Sequence, residues 1–199
     1  MQKRRRLNLL IALPAEAKPL IKSLALQRLQ PVGSLPCYVS QDIQLVVSGP
    51  GLQSIAMAVN YLQEIAPTEC QPAWLNLGIC GHGSLPIGAL FLADQVLGPD
   101  GDHWKLQSPL YPTANHGRLL CVTEPQSAYR QQLAYDMESL GFLKSLTPTI
   151  PMSHLHILKV VSDNPDSGIE NINAKQVEKL ITAQIIQIKD FISRITAYE

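Results

Sequence analysis

Short apolar runs alternate with segments of helical spacing along the chain. Residues 7–13 form an apolar run that Pro14 ends, and residues 15–29 then carry apolar side chains at helical spacing. Residues 74–79 and 89–96 are two further apolar runs. Strands that are apolar on both faces and alternate with helices are typical of a sheet that helices cover on both sides. The pattern therefore predicts an α/β fold.

The same periodicities predict the other elements. Strands are expected at residues 38–40, 43–48, 119–123 and 155–161, and helices at residues 52–65, 139–146 and 174–195. The last of these helices has the clearest apolar stripe in the chain. Residues 98–117 are rich in Pro, Gly, Asp and His, which predicts an irregular excursion. We expect residues 1–199 to form a single domain.

Composition narrows the possible functions. The 199 residues include 16 Lys and Arg against 16 Asp and Glu, so the formal net charge is zero. Because nucleic acids are bound through a surplus of basic side chains, this balance excludes a protein that coats them. Charged residues make up 16% and apolar residues 46% of the chain, which excludes a disordered protein. No apolar run reaches the roughly 20 residues needed to cross a bilayer, so we expect no membrane span.

The N-terminal segment imitates part of a secretion signal. Lys3-Arg4-Arg5-Arg6 precedes the first apolar run, and Ala15-Glu16-Ala17 follows it. The apolar stretch is only about seven residues long, the lower limit for such a signal, and Asn8 interrupts it. These features favour a buried first strand, with a signal as the alternative.

The cysteines suggest a reducing environment. None of them forms a C-x-x-C pair, and the four are Cys37, Cys70, Cys80 and Cys121. Disulfides persist in oxidising compartments, whereas free thiols are usual in the cytoplasm. We therefore expect free thiols and a cytoplasmic protein.

Polar side chains and glycine turns come directly after four of the predicted strands, where ligands bind in α/β sheets. These segments are Leu13-Pro14-Ala15-Glu16, Ser48-Gly49-Pro50-Gly51, Asn76-Leu77-Gly78-Ile79-Cys80-Gly81 and Ser162-Asp163-Asn164-Pro165-Asp166, and Asp136-Met137-Glu138-Ser139 precedes a helix. Taken singly, each has a structural interpretation. Glu16 complements a helix dipole, Asp163 forms a turn, and Glu138 starts a helix in solvent. The glycines match neither a dinucleotide loop nor a nucleotide triphosphate loop.

Taken together and in this order, the segments resemble the nucleoside phosphorylase and nucleosidase superfamily, most closely methylthioadenosine/S-adenosylhomocysteine nucleosidases. The resemblance extends over residues 7–195. It rests on Ala12-Leu13-Pro14-Ala15-Glu16, Ser48-Gly49-Pro50-Gly51, the Asn-x-Gly-x-x-Gly turn from Asn76 to Gly81, Met137-Glu138 and Ser162-Asp163. It implies a mixed, twisted central β-sheet flanked by helices in a three-layer, nucleoside phosphorylase-like architecture. It also implies a homodimer and no cofactor.

The resemblance further implies that the chain cleaves the N-glycosidic bond of a nucleoside. Such cleavage passes through an oxocarbenium-like sugar, so the leaving base must be stabilised by a proton. Asp163 would protonate purine N7, Glu138 would accept hydrogen bonds from the ribose hydroxyls, Met137 would pack against the sugar, and Glu16 would activate water. The other substrate-binding positions implied by the motifs are Ser48, Gly49, Gly51, Asn76, Gly78, Cys80, Gly81 and Ser162.

The nucleophile and the substrate are left open at this point. Asn76 stands where phosphorylases of the superfamily often carry Arg, which favours water over phosphate. Lys18 lies near the position after the first strand where phosphorylases of the superfamily carry a basic residue, so a phosphorylase is the alternative. Residues 123–129 show no clear match to the aromatic loop that fixes the base in nucleosidases, so adenine specificity does not follow. Futalosine, a nucleosidyl lipid of hopanoid synthesis or a non-catalytic homologue remain alternatives.

A metal hydrolase is the competing class of enzyme. Its candidate ligands are His82 beside Cys80, His103, His116 and the pair His154-x-His156, which would share one face of a strand. No H-E-x-x-H or C-x-x-C pair occurs, and isolated histidines are more often solvated or strand-edge residues. We therefore predict no metal site.

Overall fold

The computed structural model describes residues 5–29, 35–65, 71–126, 128–130 and 132–197. The strands are β1 Leu7–Ile11, β2 Gln27–Arg28, β3 Cys37–Val39, β4 Ile43–Val47, β5 Ala73–His82, β6 Leu90–Leu97, β7 His103–Lys105, β8 Asn115–Cys121, β9 Leu133–Asp136 and β10 Leu155–Asp163. The helices are α1 Pro14–Ser23, α2 Leu52–Ile65, α3 Ser139–Leu146, α4 Ala174–Ala183 and α5 Ile185–Ile195. Short 3-10 turns lie at Met152–His154 and Ile169–Asn171.

The strands form one mixed sheet around β5. This long strand is parallel to β1 and β10 and antiparallel to β9. Beyond β1 the sheet continues through β4, β3 and β2. On the other side, β10, β6, β8 and β9 follow one another and lead back to β5, so that five strands close on themselves. The closure brings the carboxyl ends of β5, β9 and β10 together.

Helices cover the sheet on two faces. On one face α2 and α3 pack on the sheet through a cluster that includes Ile55, Val59 and Phe142. On the other face α1, α4 and α5 contribute Leu20, Ile181 and Phe191 to a second cluster. The predicted fold class, a mixed sheet flanked by helices in three layers, is confirmed.

Two predicted helices have different bounds in the structure. The helix predicted at residues 15–29 begins at Pro14 and ends at Ser23. Ala25 then has φ +51, and the next residues join the sheet as β2. The helix predicted at residues 174–195 is divided into α4 and α5 at Gln184, whose side chain donates a hydrogen bond to the Gly88 carbonyl at 2.7 Å. Both boundaries depend on contacts with the sheet.

Several strands were missed or predicted too short. Residues 98–117 are not wholly irregular, because His103–Lys105 pairs with β6 and β8 begins at Asn115. Strand β5 continues through Gly81 and His82, which pair with β9, the strand-like stretch before Met137 whose bounds the sequence did not predict. Pairing between segments distant in sequence produces these elements.

The N-terminal apolar run is the buried strand β1, and all five of its residues are buried. Residues 1–4, which carry part of the basic cluster, lie outside the described residues. Cys37, Cys80 and Cys121 are buried free thiols, and Cys70 lies outside the described residues. Within the described part of the chain, no helix combines the length and apolar character needed to cross a membrane.

Candidate functional site

A cavity of about 300 Å³ lies at the carboxyl ends of β1, β5, β9 and β10. Four carboxylates line it, those of Glu16, Asp136, Glu138 and Asp163. Three of them were predicted from the sequence and come from different parts of the chain: Glu16 at the start of α1, Glu138 at the start of α3, and Asp163 at the end of β10. The exposed fractions of these residues are 1%, 7% and 3%. Buried carboxylates are rare unless hydrogen bonds or cations accompany them, so their partners define the site.

Glu16 is held by two backbone amides. Its Oε2 accepts from the amide of Leu13 at 2.8 Å, and its Oε1 accepts from the amide of Ile79 at 2.8 Å. Burial raises the pKa of Glu16 to about 7, although the two amides and the charge of Lys159 oppose the rise. The side chain is therefore fixed in place and able to gain or lose a proton near neutral pH.

Glu138 belongs to a buried ionic group with Lys159 and Asp136. Lys159 Nζ lies 2.8 Å from Asp136 Oδ2 and 3.9 Å from Glu138 Oε2, and Lys159 is 1% exposed. Ser139 fixes Asp136, because its amide and its hydroxyl donate to the carboxylate at 3.1 and 2.6 Å. Glu138 accepts from the amide of Gly51 at 3.0 Å.

Opposing effects set the protonation of this group. Burial lowers the pKa of Lys159, but the carboxylates of Asp136 and Glu138 outweigh burial and raise it above its ordinary value. Burial and the charge of Asp136 raise the pKa of Glu138, while Lys159 opposes the rise. Lys159 therefore stays charged and offsets part of the cost of burying two carboxylates.

Asp163 is paired with two hydroxyls. Ser162 donates to its Oδ1 and Tyr129 donates to its Oδ2. Ser162 also donates to the Cys80 carbonyl at 3.1 Å, which joins β10 to β5. An irregularity in strand register between Val161 and Asp163 places the carboxylate opposite Gly81.

Two glycines after β4 lead the chain past the cavity. Gly49 and Gly51 have φ +84 and +93, values that side chains other than glycine rarely adopt. The Gly49 amide donates to the Ala12 carbonyl at 3.0 Å, and Ser48 is buried with its hydroxyl on the Ile11 and Gly49 carbonyls. The turn thus connects the ends of β1 and β4 and presents the Gly51 amide to Glu138.

Two glycines of β5 leave room for the carboxylates. A Cβ on Gly78 would lie 2.7 Å from Glu16 Oε1, and a Cβ on Gly81 would lie 2.7 Å from Asp163 Oδ2. Either contact would displace the carboxylate, because real Cβ atoms do not approach this closely. The two glycines of the Asn-x-Gly-x-x-Gly segment are therefore required because Glu16 and Asp163 lie so close to the backbone.

The cavity brings together part of the predicted set. The predicted residues that line it are Glu16, Cys80, Gly81, Met137, Glu138, Ser162 and Asp163. Ser48, Gly49, Gly51 and Gly78 do not line it but hold the lining residues in place, as described above. Asn76 is buried within the sheet, where its side-chain nitrogen lies 3.5 Å from the Leu10 carbonyl. Lys18 lies on the surface in an ion pair with Glu178 at 2.9 Å.

Sequence reasoning missed three contributors: Lys159, Asp136 and Tyr129. Lys159 lies in a strand that is buried along its whole length. A lysine within such an apolar run needs buried carboxylate partners, and this signal was available in the sequence. Tyr129 is the aromatic residue of the stretch that takes the place of the family's base-stacking loop, but the stretch had no clear match and Tyr129 was assigned no role.

The histidines do not gather into a metal site. His82 Nδ1 accepts from the amides of Ser84 and Leu85, each at 3.0 Å. His154 ends a 3-10 turn and only His156 lies on β10, so the expected strand pair is wrong. Among the described residues, no group of three His, Cys, Asp or Glu side chains is placed to hold a metal ion.

The fold of this chain is similar to that of several solved nucleosidases. One similar structure is the 5'-methylthioadenosine/S-adenosylhomocysteine nucleosidase of Helicobacter pylori, with a TM-score of 0.75, 14% identity, and 96% of this chain and 98% of that chain covered. Another is the 5'-methylthioadenosine nucleosidase of Arabidopsis thaliana, with a TM-score of 0.76 and 18% identity; the match covers 100% of this chain and 98% of that chain. The futalosine hydrolase of Helicobacter pylori is similar with a TM-score of 0.75 and 14% identity; the match covers 96% of this chain and 98% of that chain. No family model and no curated protein matches the sequence.

Proposed function

We propose that the protein cleaves the N-glycosidic bond of a purine-type nucleoside or a nucleoside-derived metabolite, with water as the nucleophile. The observation that carries this proposal is the arrangement of Glu16, Glu138 and Asp163, three of the four buried carboxylates that line one cavity. Glycosidic cleavage needs an acid on the leaving group and a base on the nucleophile. The nucleosidase names of the similar structures support the same class of reaction.

Asp163 is the proposed general acid. It lies at the end of β10 opposite Gly81, whose missing side chain leaves room beside the carboxylate at the wall of the cavity. Its Oδ1 is held by Ser162, which fixes the direction of the carboxyl group. A proton given to a ring nitrogen of the base lets the base leave as a neutral molecule while positive charge develops on the sugar.

Glu16 is the proposed general base. A base works best when its pKa lies close to the operating pH, and burial raises the pKa of Glu16 to about 7. Its two amide donors leave each carboxylate oxygen able to accept one more hydrogen bond, from water in the cavity. Glu16 is thereby suited to orient water toward the sugar carbon and to take up its proton.

Glu138 is the proposed partner of the ribose hydroxyls. The Gly51 amide and Lys159 hold it at the edge of the cavity beside Met137, which gives the sugar an apolar surface. A carboxylate accepts hydrogen bonds from two neighbouring hydroxyls, and these bonds strengthen as charge develops on the sugar. Glu138 therefore positions the bond to be broken between Asp163 and Glu16.

Water is favoured over phosphate by the charges around the cavity. Phosphate is a dianion that proteins bind with Arg, Lys or free backbone amides. None of the described residues that line the cavity is Arg or Lys, and Lys18 is paired with Glu178 on the surface. Lys159 faces Asp136 and Glu138, whose two carboxylates exceed its single charge.

The test is a screen for free base. The purified protein is incubated with methylthioadenosine, inosine, adenosine and futalosine, with and without phosphate. Base release and a reducing sugar without phosphate support the proposal, and release that requires phosphate identifies a phosphorylase. Binding of a nucleoside without any release identifies a non-catalytic homologue and overturns the proposed reaction.

Two further expectations are part of the proposal. A homodimer is expected from the resemblance, and light scattering after size-exclusion chromatography measures the mass of the assembly. A cytoplasmic location remains a prediction that fractionation of producing cells tests.

A further inference from the structure

Tyr129 occupies the side of Asp163 that faces the cavity. The Tyr129 hydroxyl donates to Asp163 Oδ2, while Oδ1 is taken by the neighbouring Ser162. A base that receives a proton from Asp163 needs one of these two oxygens. Ser162 is fixed by its second hydrogen bond to the Cys80 carbonyl. The oxygen open to a ligand is therefore the one that Tyr129 holds.

The ring of Tyr129 lies on the bare backbone of Gly81. A Cβ on Gly81 would lie 2.6 Å from Tyr129 Cε1, so ring and backbone are in direct contact. Tyr135 supports the ring from the edge, with 5.6 Å between the ring centroids. An aromatic ring thus fills the space beside Gly81 and places a polar atom on Asp163, and a purine bound to Asp163 would need the same space.

We infer that Tyr129 occupies the leaving-base subsite of the ligand-free protein, and that a nucleoside must displace its hydroxyl from Asp163 in order to bind. This inference rests on the proposed function, because it takes Asp163 as the partner of the base. It makes Tyr129 a residue that determines specificity. A ligand that competes with it must offer both a flat ring for Gly81 and a nitrogen for Asp163, as purines do and free sugars do not.

The protonation of Tyr129 agrees with this role. Burial, together with the hydrogen bond to Asp163, raises the pKa of the phenol above its ordinary value. The hydroxyl therefore keeps its proton and remains a donor at neutral pH. Competition between the phenol and an incoming base follows from space, since the hydroxyl on Asp163 Oδ2 and the ring beside Gly81 take up the volume next to Asp163 that the base would need.

The inference is tested by the binding of free bases to Tyr129→Phe. This variant keeps the ring and removes only the hydroxyl. Isothermal titration with adenine and hypoxanthine should give a Kd about tenfold or more below that of the unmodified protein, because a hydrogen bond to a charged group contributes roughly ten- to hundredfold to an equilibrium. Tyr38→Phe makes the same change on β3, outside the cavity, and should leave the Kd unchanged.

A second variant tests the ring. Tyr129→Ala removes the ring as well and should bind adenine at least as tightly as Tyr129→Phe. Where a nucleoside is cleaved, Tyr129→Phe should lower KM by a similar factor without lowering kcat. Equal or weaker binding of adenine by Tyr129→Phe overturns the inference, and so does weaker binding by Tyr129→Ala than by Tyr129→Phe.

Base binding requires no turnover, so the two proposals can fail separately. Tighter adenine binding by Tyr129→Phe together with no cleavage of any nucleoside retains the role of Tyr129 and rejects the proposed function. Cleavage of a nucleoside, together with the same adenine Kd for Tyr129→Phe and the unmodified protein, retains the proposed function and rejects the role of Tyr129. If no variant binds adenine or hypoxanthine, the base subsite itself is absent and the inference fails.

Discussion

Burial of Glu16 should make the stability of the protein depend on pH. The pKa of this carboxyl rises from an ordinary value of 4.5 to about 7 in the folded chain. Between these two values the folded protein binds a proton that the unfolded chain has lost. The stability that the protonated carboxyl contributes is therefore complete below about pH 4.5 and is lost as the pH rises through about 7.

The change Glu16→Gln removes this titration. At about 1.4 kcal/mol for each pKa unit, the rise in the pKa of Glu16 corresponds to about 3 kcal/mol. The free energy of unfolding of the unmodified protein should therefore fall by about 3 kcal/mol more than that of Glu16→Gln between pH 4.5 and 8. The variant also leaves the amide of Leu13 or Ile79 without an acceptor. This loss lowers the free energy of unfolding by about 1–3 kcal/mol at every pH and does not change its dependence on pH.

Urea unfolding followed by circular dichroism at several pH values measures both curves. Glu64→Gln, a change of an exposed carboxylate on α2, is the matched control, and its curve should run parallel to that of the unmodified protein. Glu138 is present in all three proteins, so only the part of its titration that depends on the charge of Glu16 enters the difference. Parallel curves for Glu16→Gln and the unmodified protein would refute the reasoning, because Glu16 would then titrate alike in the folded and unfolded chains.

Three further predictions concern the same buried groups. Lys159→Met should lower the free energy of unfolding in urea by about 3–5 kcal/mol, because Asp136 loses its cation. Lys18→Met breaks an exposed pair and should lower it by under about 1 kcal/mol. Similar losses for both variants would contradict the buried ionic group. Gly78→Ala should lower kcat at least about tenfold by displacing Glu16, at a cost of about 1–3 kcal/mol in stability, and an unchanged kcat would speak against the placement of that carboxylate. The rate of base release should fall about tenfold for each pH unit below about 7 as Glu16 gains its proton, and a rate that is level from pH 5 to 8 would exclude Glu16 as the base.

Elements whose signals are local could be predicted well from the sequence. Helices Leu52–Ile65 and Ser139–Leu146 have the expected bounds, because their apolar spacing and the residues that end them lie within the segments themselves. The stretch before Asp136 was only strand-like from the sequence, and its bounds as β9 depend on pairing with β5 and β8. The interruption at Gln184 was missed because it involves a contact with Gly88, 96 residues away in sequence.

The candidate site shows the same division. Their positions after predicted strands made Glu16 and Asp163 candidates, because ligands bind beyond the carboxyl ends of such strands, and the family resemblance supplied their expected roles. Their distances from Gly78 and Gly81 follow from packing in three dimensions. The partnership of Lys159 with two carboxylates, and the contact of Tyr129 with Asp163, join segments that share no sequence pattern.

The central claim is that Asp163 donates the proton with which the base leaves. The most direct measurement compares base release without phosphate by the unmodified protein, by Asp163→Asn and by Asp166→Asn. Asp166 is an exposed aspartate three residues further along the chain and serves as the matched control. Asp163→Asn should lower the rate by ~10²–10⁴-fold, while Asp166→Asn should leave it unchanged. Undiminished base release by Asp163→Asn would contradict it.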